Sequence, residues 1–215
     1  MIAVALALPI AAKATVPPGD DLLARALTAA GGRERLARVK ALHWTGTAQV
    51  TLPGRSLLLE VKTRVEPFVR ARSQSWLAGK PETARTLVIE PDGGFVERDG
   101  TRTPLPPRQT VHERQQYGLY GYMLLALAPT RAEGEGLVAE RPGLPPIRFL
   151  LEGDYLAAAD YEVASPDSVG TLRQRILLEG EMPDKGIHWP QTITILHDDK
   201  PYFILDLQTF SVDLA

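Results

Sequence analysis

Two-residue turn signals set between runs of alternating apolar and polar residues constrain this chain more than any other feature. Pro53-Gly54 separates Trp44–Leu52 from Ser56–Val65, Asp92-Gly93 separates Thr86–Glu90 from Phe95–Arg98, and Asp99-Gly100 separates Glu97-Arg98 from Thr101-Arg102. Asp-Gly supplies the positive φ that a tight antiparallel hairpin needs. A strand over Phe68–Leu77 lies between the first two pairs. Within Ser56–Val65, Leu57, Leu59, Val61 and Val65 alternate with Leu58, Glu60, Lys62 and Arg64. A period of two with one apolar face marks a half-buried strand. Later runs follow at Ile147–Leu151, Leu156–Val163, Leu172–Leu178, Gln191–His197 and Tyr202–Val212, the last two joined by His197-Asp198-Asp199-Lys200-Pro201. Consecutive hairpins of this kind predict a mainly β protein built on one antiparallel sheet.

Few helices are available to cover that sheet. Asp20-Asp21 before Leu22, Leu23, Ala26 and Leu27, with Gly31-Gly32 beyond, bound one helix. Arg33–Lys40 forms a second short turn with Leu36 and Val39 inward. After Pro104-Leu105-Pro106-Pro107, the spacing predicts a helix over Thr110–Leu127. Thr110-Val111-His112-Glu113 would cap it and Pro129 would end it. Gly118 and Gly121 weaken this helix by about 1 kcal/mol each relative to alanine, and allow close approach of a sheet or a ligand. Arg131–Pro146, rich in Gly, Pro and Glu, reads as a loop.

The inward face is contributed by at least five strands: Leu57, Leu59, Val61, Phe149, Leu151, Leu172, Ile176, Leu178, Ile193, Ile195, Phe203, Leu205 and Leu207. The outward face carries Lys62, Arg64, Arg148, Arg173, Arg175, Thr192, Thr194, Asp206 and Gln208. A large sheet with so little helix to cover it curls around what it has. It then either fills its concave side or leaves an apolar groove. Each CH₂ of an acyl chain buried in such a groove contributes about 0.8 kcal/mol. Leu57, Leu59, Val61, Phe149, Leu151, Ile176, Ile193, Ile195, Phe203, Leu205 and Leu207, with Tyr117, Tyr120, Met123, Leu124 and Leu127 from the mid-chain stripe, are the candidate lining.

Composition narrows the partner. The formal net charge of -2 on 215 residues supplies no basic excess for nucleic-acid phosphates. Cysteine is absent, which removes disulfides, thiol catalysis and zinc-thiolate sites. Residues 1–14, MIAVALALPIAAKA, are expected to be the remnant of an export signal ending at an A-x-A site. The run is shorter than the roughly 20 apolar residues that span a bilayer. A single domain is expected over 15–215, in the periplasm, with no cofactor and no transmembrane segment.

Catalytic patterns are sparse. His112-Glu113-Arg114-Gln115-Gln116 has glutamine where a zinc protease helix needs its second histidine. No G-x-S-x-G and no phosphate-binding glycine loop occurs. Asp20-Asp21 and Asp198-Asp199 read as helix-start and turn residues rather than as an acid/base pair. Arg70, Arg72 and Trp76 share one strand face, which could bind a headgroup phosphate or simply be solvated.

The segments ALTAAGGRERLARVKALHWTGTAQV (Ala26–Val50) and IHWPQTITILHDDKPYFILDLQTFSVD (Ile187–Asp213) resemble the opening and the closing hairpin of the LolA/LolB-like lipoprotein carriers. The resemblance implies an unclosed half-barrel, covered on its concave face by N-terminal and mid-chain helices, with an apolar cavity for a lipid, an acyl chain or an acylated protein. Without cysteine the chain departs from the membrane-anchored LolB type, and no residue is matched to the lid-holding arginine of the soluble carriers. Three functions follow as expectations: a soluble periplasmic carrier, a non-catalytic sensor or interaction domain that docks another envelope protein, and, last, a hydrolase.

Overall fold

A computed structural model describes residues 18–215 of the chain. The expected leader, residues 1–14, lies outside the described residues. Helices α1 (Pro18–Ala30) and α2 (Arg33–Ala37) precede strands β1 (Val39–Leu52), β2 (Arg55–Glu66), β3 (Arg70–Leu77), β4 (Lys80–Glu90), β5 (Gly93–Arg98) and β6 (Thr101–Pro104). Helix α3 (Pro107–Tyr122) follows. Then come β7 (Thr130–Glu133), β8 (Gly136–Ala139), β9 (Ile147–Glu152), β10 (Tyr155–Ala164), β11 (Thr171–Glu179), β12 (Met182–Asp184), β13 (Ile187–Trp189), β14 (Thr192–His197) and β15 (Lys200–Leu214).

Thirteen strands form one antiparallel sheet in the order β6-β5-β4-β3-β2-β1-β15-β14-β11-β10-β9-β8-β7, while β12 and β13 pair separately. The long strands β1 and β15 meet at the centre, so the chain's first strand and its last join two runs of antiparallel neighbours, the second skipping β12 and β13 between β11 and β14. The ends do not pair, and the sheet stays unclosed.

Curvature follows from what α3 touches. It packs against β2, β4 and β5 on one side and β10 on the other. Strands β5 and β10 stand eight places apart in the sheet, which is about 38 Å across if flat. A 16-residue helix is about 24 Å long and about 10 Å thick, so it bridges them only because the sheet wraps around it. Helix α1 covers the other end, against β7, β8, β10 and β13.

Turn chemistry places the hairpins as expected. Asp99 (φ 50) and Gly100 (φ 76) take the left-handed conformations of a tight β5–β6 turn, and Asp198 (φ 48) with Asp199 (φ 62) does the same between β14 and β15.

Several expectations are corrected. Helix α3 starts at Pro107, with Pro106 as its cap, and the Thr110 hydroxyl donates back to the Pro106 carbonyl at 3.2 Å. The Thr110–Glu113 capping box therefore does not form. Nor does the helix reach Leu127: it ends at Tyr122, and Leu125 turns the chain at φ 54 before Pro129 is reached. The second helix stops at Ala37, and Val39 opens β1 instead. Arg131–Pro146 is not simply a loop, since β7 and β8 form a hairpin inside it. Gly136 opens β8 so close to β9 that an added Cβ would lie 2.5 Å from the Phe149 carbonyl.

Candidate functional site

On the concave side, a cavity of about 170 Å³ opens between α3 and the strands around the sheet centre. Its apolar wall is Trp44 and Val50 from β1, Leu59 and Val61 from β2, Leu87 from β4, Ile195 from β14, and Tyr202, Phe203 and Leu205 from β15. Helix α3 supplies Glu113, Gln116, Tyr117 and Tyr120, which fall on one stripe at steps of three and four. Strands β3 and β4 add Ser73, Ser75 and Arg85, and β2 adds Thr63. Trp44 and Tyr120 pack with ring centroids 4.8 Å apart, and Tyr117 lies 6.0 Å from Tyr120.

Of the sixteen residues that the sequence pattern nominates, this cavity brings together Leu59, Val61, Tyr117, Tyr120, Ile195, Phe203 and Leu205. Phe149, Ile176, Ile193, Leu207 and Leu124 lie in the packed core, and Leu57, Leu127 and Leu151 are half-buried away from this wall. Met123 is buried and lines a different cavity.

Sequence reasoning missed the polar part of the site. Burial raises the Glu113 carboxyl to about 7, against a smaller downward pull from Arg85. Its place in the stripe with Tyr117 and Tyr120 was the available signal. Burial also pushes the Tyr117 and Tyr120 hydroxyls well above the usual phenol range, so both stay neutral.

Behind Glu113 runs a second constellation, of hydrogen bonds. His112 donates from Nδ1 to the Ala164 carbonyl at 2.8 Å, which leaves Nε2 to accept from Gln116 Nε2 at 2.8 Å. The Ala164 N–H donates to Gln115 Oε1 at 2.6 Å, so two helix side chains clamp the end of β10. Gln174 is fully buried. It accepts from Gln116 (3.2 Å) and His197 (3.1 Å), and donates to the Tyr161 hydroxyl (2.7 Å). His197 stacks on Tyr202 at 4.2 Å. Burial lowers both histidines, His197 to about 4, where the neighbouring His112 adds to the effect. Gln174 sits on the inward face between Leu172 and Ile176, a polar residue in an apolar register that signals a buried network.

A larger cavity of about 560 Å³ lies between α1, β10, β11 and β13. Its floor includes Ala26, Met123, Leu156, Leu178 and Trp189, and Glu152, Asp154, Glu179 and Glu181 also line it. His188 there contacts the Glu181 carboxylate, but among the described residues no serine, threonine or cysteine lines the cavity. Arg70 and Arg72 both lie on β3 but line different cavities: Arg70 the one described below, Arg72 one with His43, Lys62 and Arg64.

No family model and no curated protein matches the chain. Solved structures do. A LolA superfamily protein from Nitrosomonas europaea superposes with a TM-score of 0.52 at 9% identity, over 91% of this chain and 94% of that one. An outer membrane lipoprotein-sorting protein domain from Vibrio parahaemolyticus gives 0.55 at 6% identity, over 91% and 92%. A DUF1329 family protein from Desulfovibrio piger gives 0.52 at 10% identity, over 92% and 94%. The chain therefore has a LolA-like fold: an unclosed, curved antiparallel sheet with helices on its concave face.

Proposed function

We propose that this protein is a non-catalytic carrier in the bacterial periplasm, and that it holds the acyl chain of a lipid or of an acylated protein between its concave sheet and α3. The observation that carries the reading is the wall around Tyr117 and Tyr120. Apolar side chains from β1, β2, β4, β14 and β15 converge there on a space that they do not fill. The lipoprotein-sorting and LolA-superfamily descriptions of its structural neighbours support the same reading. At about 170 Å³ the space admits only part of a long chain, so loading requires α3 to move away from β2 and β4. The larger cavity is the weaker host for an acid or a phospholipid, because four carboxylates stand along it.

Native mass spectrometry of protein purified from its own host tests the proposal. A co-purified mass in the lipid range, lost on delipidation and restored by added fatty acid, is the expected result. Protein that carries nothing and leaves the fluorescence of N-phenyl-1-naphthylamine unchanged would remove the carrier reading. N-terminal sequencing of the same material is expected to begin near Thr15.

The docking-domain reading has less behind it. The exposed large apolar residues Leu58, Val69, Val111, Tyr155 and Val169 sit on separate elements, and single exposed apolar residues are ordinary on protein surfaces. The His188–Glu181 pair favours a hydrolase, but among the described residues no hydroxyl or thiol nucleophile other than Tyr155 lines its cavity.

A further inference from the structure

Tyr117 also forms part of the wall of a second cavity, of about 270 Å³, on the side of α3 facing the β2–β3 turn. Three arginines line it: Arg70 from β3, Arg114 from α3 and Arg141 from the segment after β8. Its two acidic residues are Glu66 and Glu90. Glu66 is already committed, accepting from Arg70 at 2.8 Å and from Arg64 as well. Those two arginines hold its carboxyl below the usual range despite its partial burial. Glu90 is exposed, and its backbone carbonyl accepts from Arg114 at 3.0 Å.

The other two guanidiniums differ from Arg70. Arg114 is pinned at Nη2 by the carbonyls of Glu90 and Pro91, while its buried Nε–H has no acceptor among the described residues. Arg141 stands 4.4 Å over the Phe68 ring, a contact that holds the cation without satisfying its N–H donors. Among the described residues neither Arg114 nor Arg141 forms an ion pair, although eight other arginines do. Phe68 is itself held in a strained turn (φ 62), and its ring lies so close to α3 that a Cβ on Gly121 would meet it at 2.6 Å. The glycine that weakens the helix is what lets this ring, and with it Arg141, approach.

We propose that this cavity is an oxyanion site that takes the phosphate or carboxylate headgroup of an amphiphile, with Arg114 and Arg141 as its ligands and Tyr117 as the partition from the chain cavity. A buried guanidinium N–H without a protein acceptor gains a charge-assisted hydrogen bond when an anion enters, and the planar donor edge matches an oxyanion. The headgroup assignment rests on the carrier reading. The oxyanion site does not.

The test keeps the two apart. Displacement of N-phenyl-1-naphthylamine, a neutral dye, is measured with palmitate, lysophosphatidic acid and the uncharged monopalmitoylglycerol. Inorganic phosphate binding is followed separately by calorimetry. Wild-type protein should prefer either anionic amphiphile over monopalmitoylglycerol by about tenfold or more. Arg114→Gln should erase most of that preference and leave monopalmitoylglycerol unchanged. Arg141→Gln, at an exposed residue, should act in the same direction and keeps the test valid if Arg114→Gln disturbs the Glu90–Pro91 turn. Equal affinity for charged and uncharged ligands in wild type overturns the headgroup proposal while the carrier reading stands. If no amphiphile binds but phosphate does, and both variants lose it, the carrier reading fails and the oxyanion site remains. If phosphate also fails to bind, the site falls too.

Discussion

Helix α3 presents two unlike sides to the same sheet. Toward β2, β4 and β15 it offers Glu113, Tyr117 and Tyr120 across an unfilled space. Toward β10 and β11 it offers His112, Gln115 and Gln116, each with a hydrogen-bond partner. Its C-terminal continuation, Leu124 and Leu125, is buried in packed core. The difference assigns stiffness. A helix anchored at one end by packing and along one side by directed hydrogen bonds can swing on its hollow side with little loss of contact, because a void forfeits few van der Waals contacts when it opens. Motion on the tied side would strand buried polar groups.

The largest effect should come from the packed end. Leu124 is fully buried, so Leu124→Ala should cost about 2–5 kcal/mol in chemical denaturation. Leu124→Glu should unfold the domain outright. A Leu124→Glu protein that melts normally and loses only ligand would mean that the packed end behaves like the hollow side, and the contrast would fail.

pH separates the two sides by sign. Glu113, raised from 4.5 to about 7, binds its proton more tightly in the folded protein. Its contribution is therefore full below about pH 4.5 and is lost as pH rises through about 7. His197, lowered from 6.5 to about 4, runs the other way: its contribution is full above about pH 6.5 and is lost as pH falls through about 4. Glu113 spans up to about 3 kcal/mol, the partly exposed His197 less, and His112 adds to the histidine side. Wild-type stability between pH 4.5 and 6.5 is thus a difference of opposed slopes. Glu113→Gln should tilt the profile toward rising with pH relative to wild type, and His197→Gln should tilt it the other way. Urea midpoints across that range read both. Parallel slopes in the two variants would contradict the assignment.

Next in size is the network itself. Gln174→Ala should cost about 1–3 kcal/mol, since it leaves the Tyr161 hydroxyl, the His197 ring and Gln116 short of partners in a buried place. Hydrogen exchange of the Ala164 amide, bonded to Gln115, should quicken in the same variant. An unchanged exchange rate would show that the clamp on β10 is independent of Gln174.

The smallest effect is expected on the hollow side. Leu59 is half-buried and already borders empty space, so Leu59→Ala should cost only about 1 kcal/mol while widening the chain cavity. Dye binding should strengthen or stay level. A loss as large as that of Leu124→Ala would mean that the wall is core.

What the sequence determined by itself is local. A period of two along Ser56–Val65 put Leu59 and Val61 inward, because successive strand side chains point to opposite faces. Asp99-Gly100 and Asp198-Asp199 set their hairpins, because few residues accept positive φ. Those signals sufficed for a mainly antiparallel sheet and for five residues of the cavity wall, and the helical stripe added Tyr117 and Tyr120. The resemblance in Ala26–Val50 and Ile187–Asp213 added the unclosed half-barrel. Tertiary structure decided the rest. Leu59 and Leu124 look alike in sequence, yet one borders a void and the other is sealed, since that depends on how far a distant strand curls toward α3. The end of α3 depended on Leu125 taking a left-handed conformation that its own side chain disfavours but the surrounding packing holds. The β7–β8 hairpin, in a stretch composed like a loop, formed because the backbone at Gly136 could lie directly against Phe149. Glu113 and Arg85 lie 28 positions apart and met only because the curved sheet folded β4 under the helix. Charge, burial and unfilled volume are properties of what lies across a gap, and no local period encodes them.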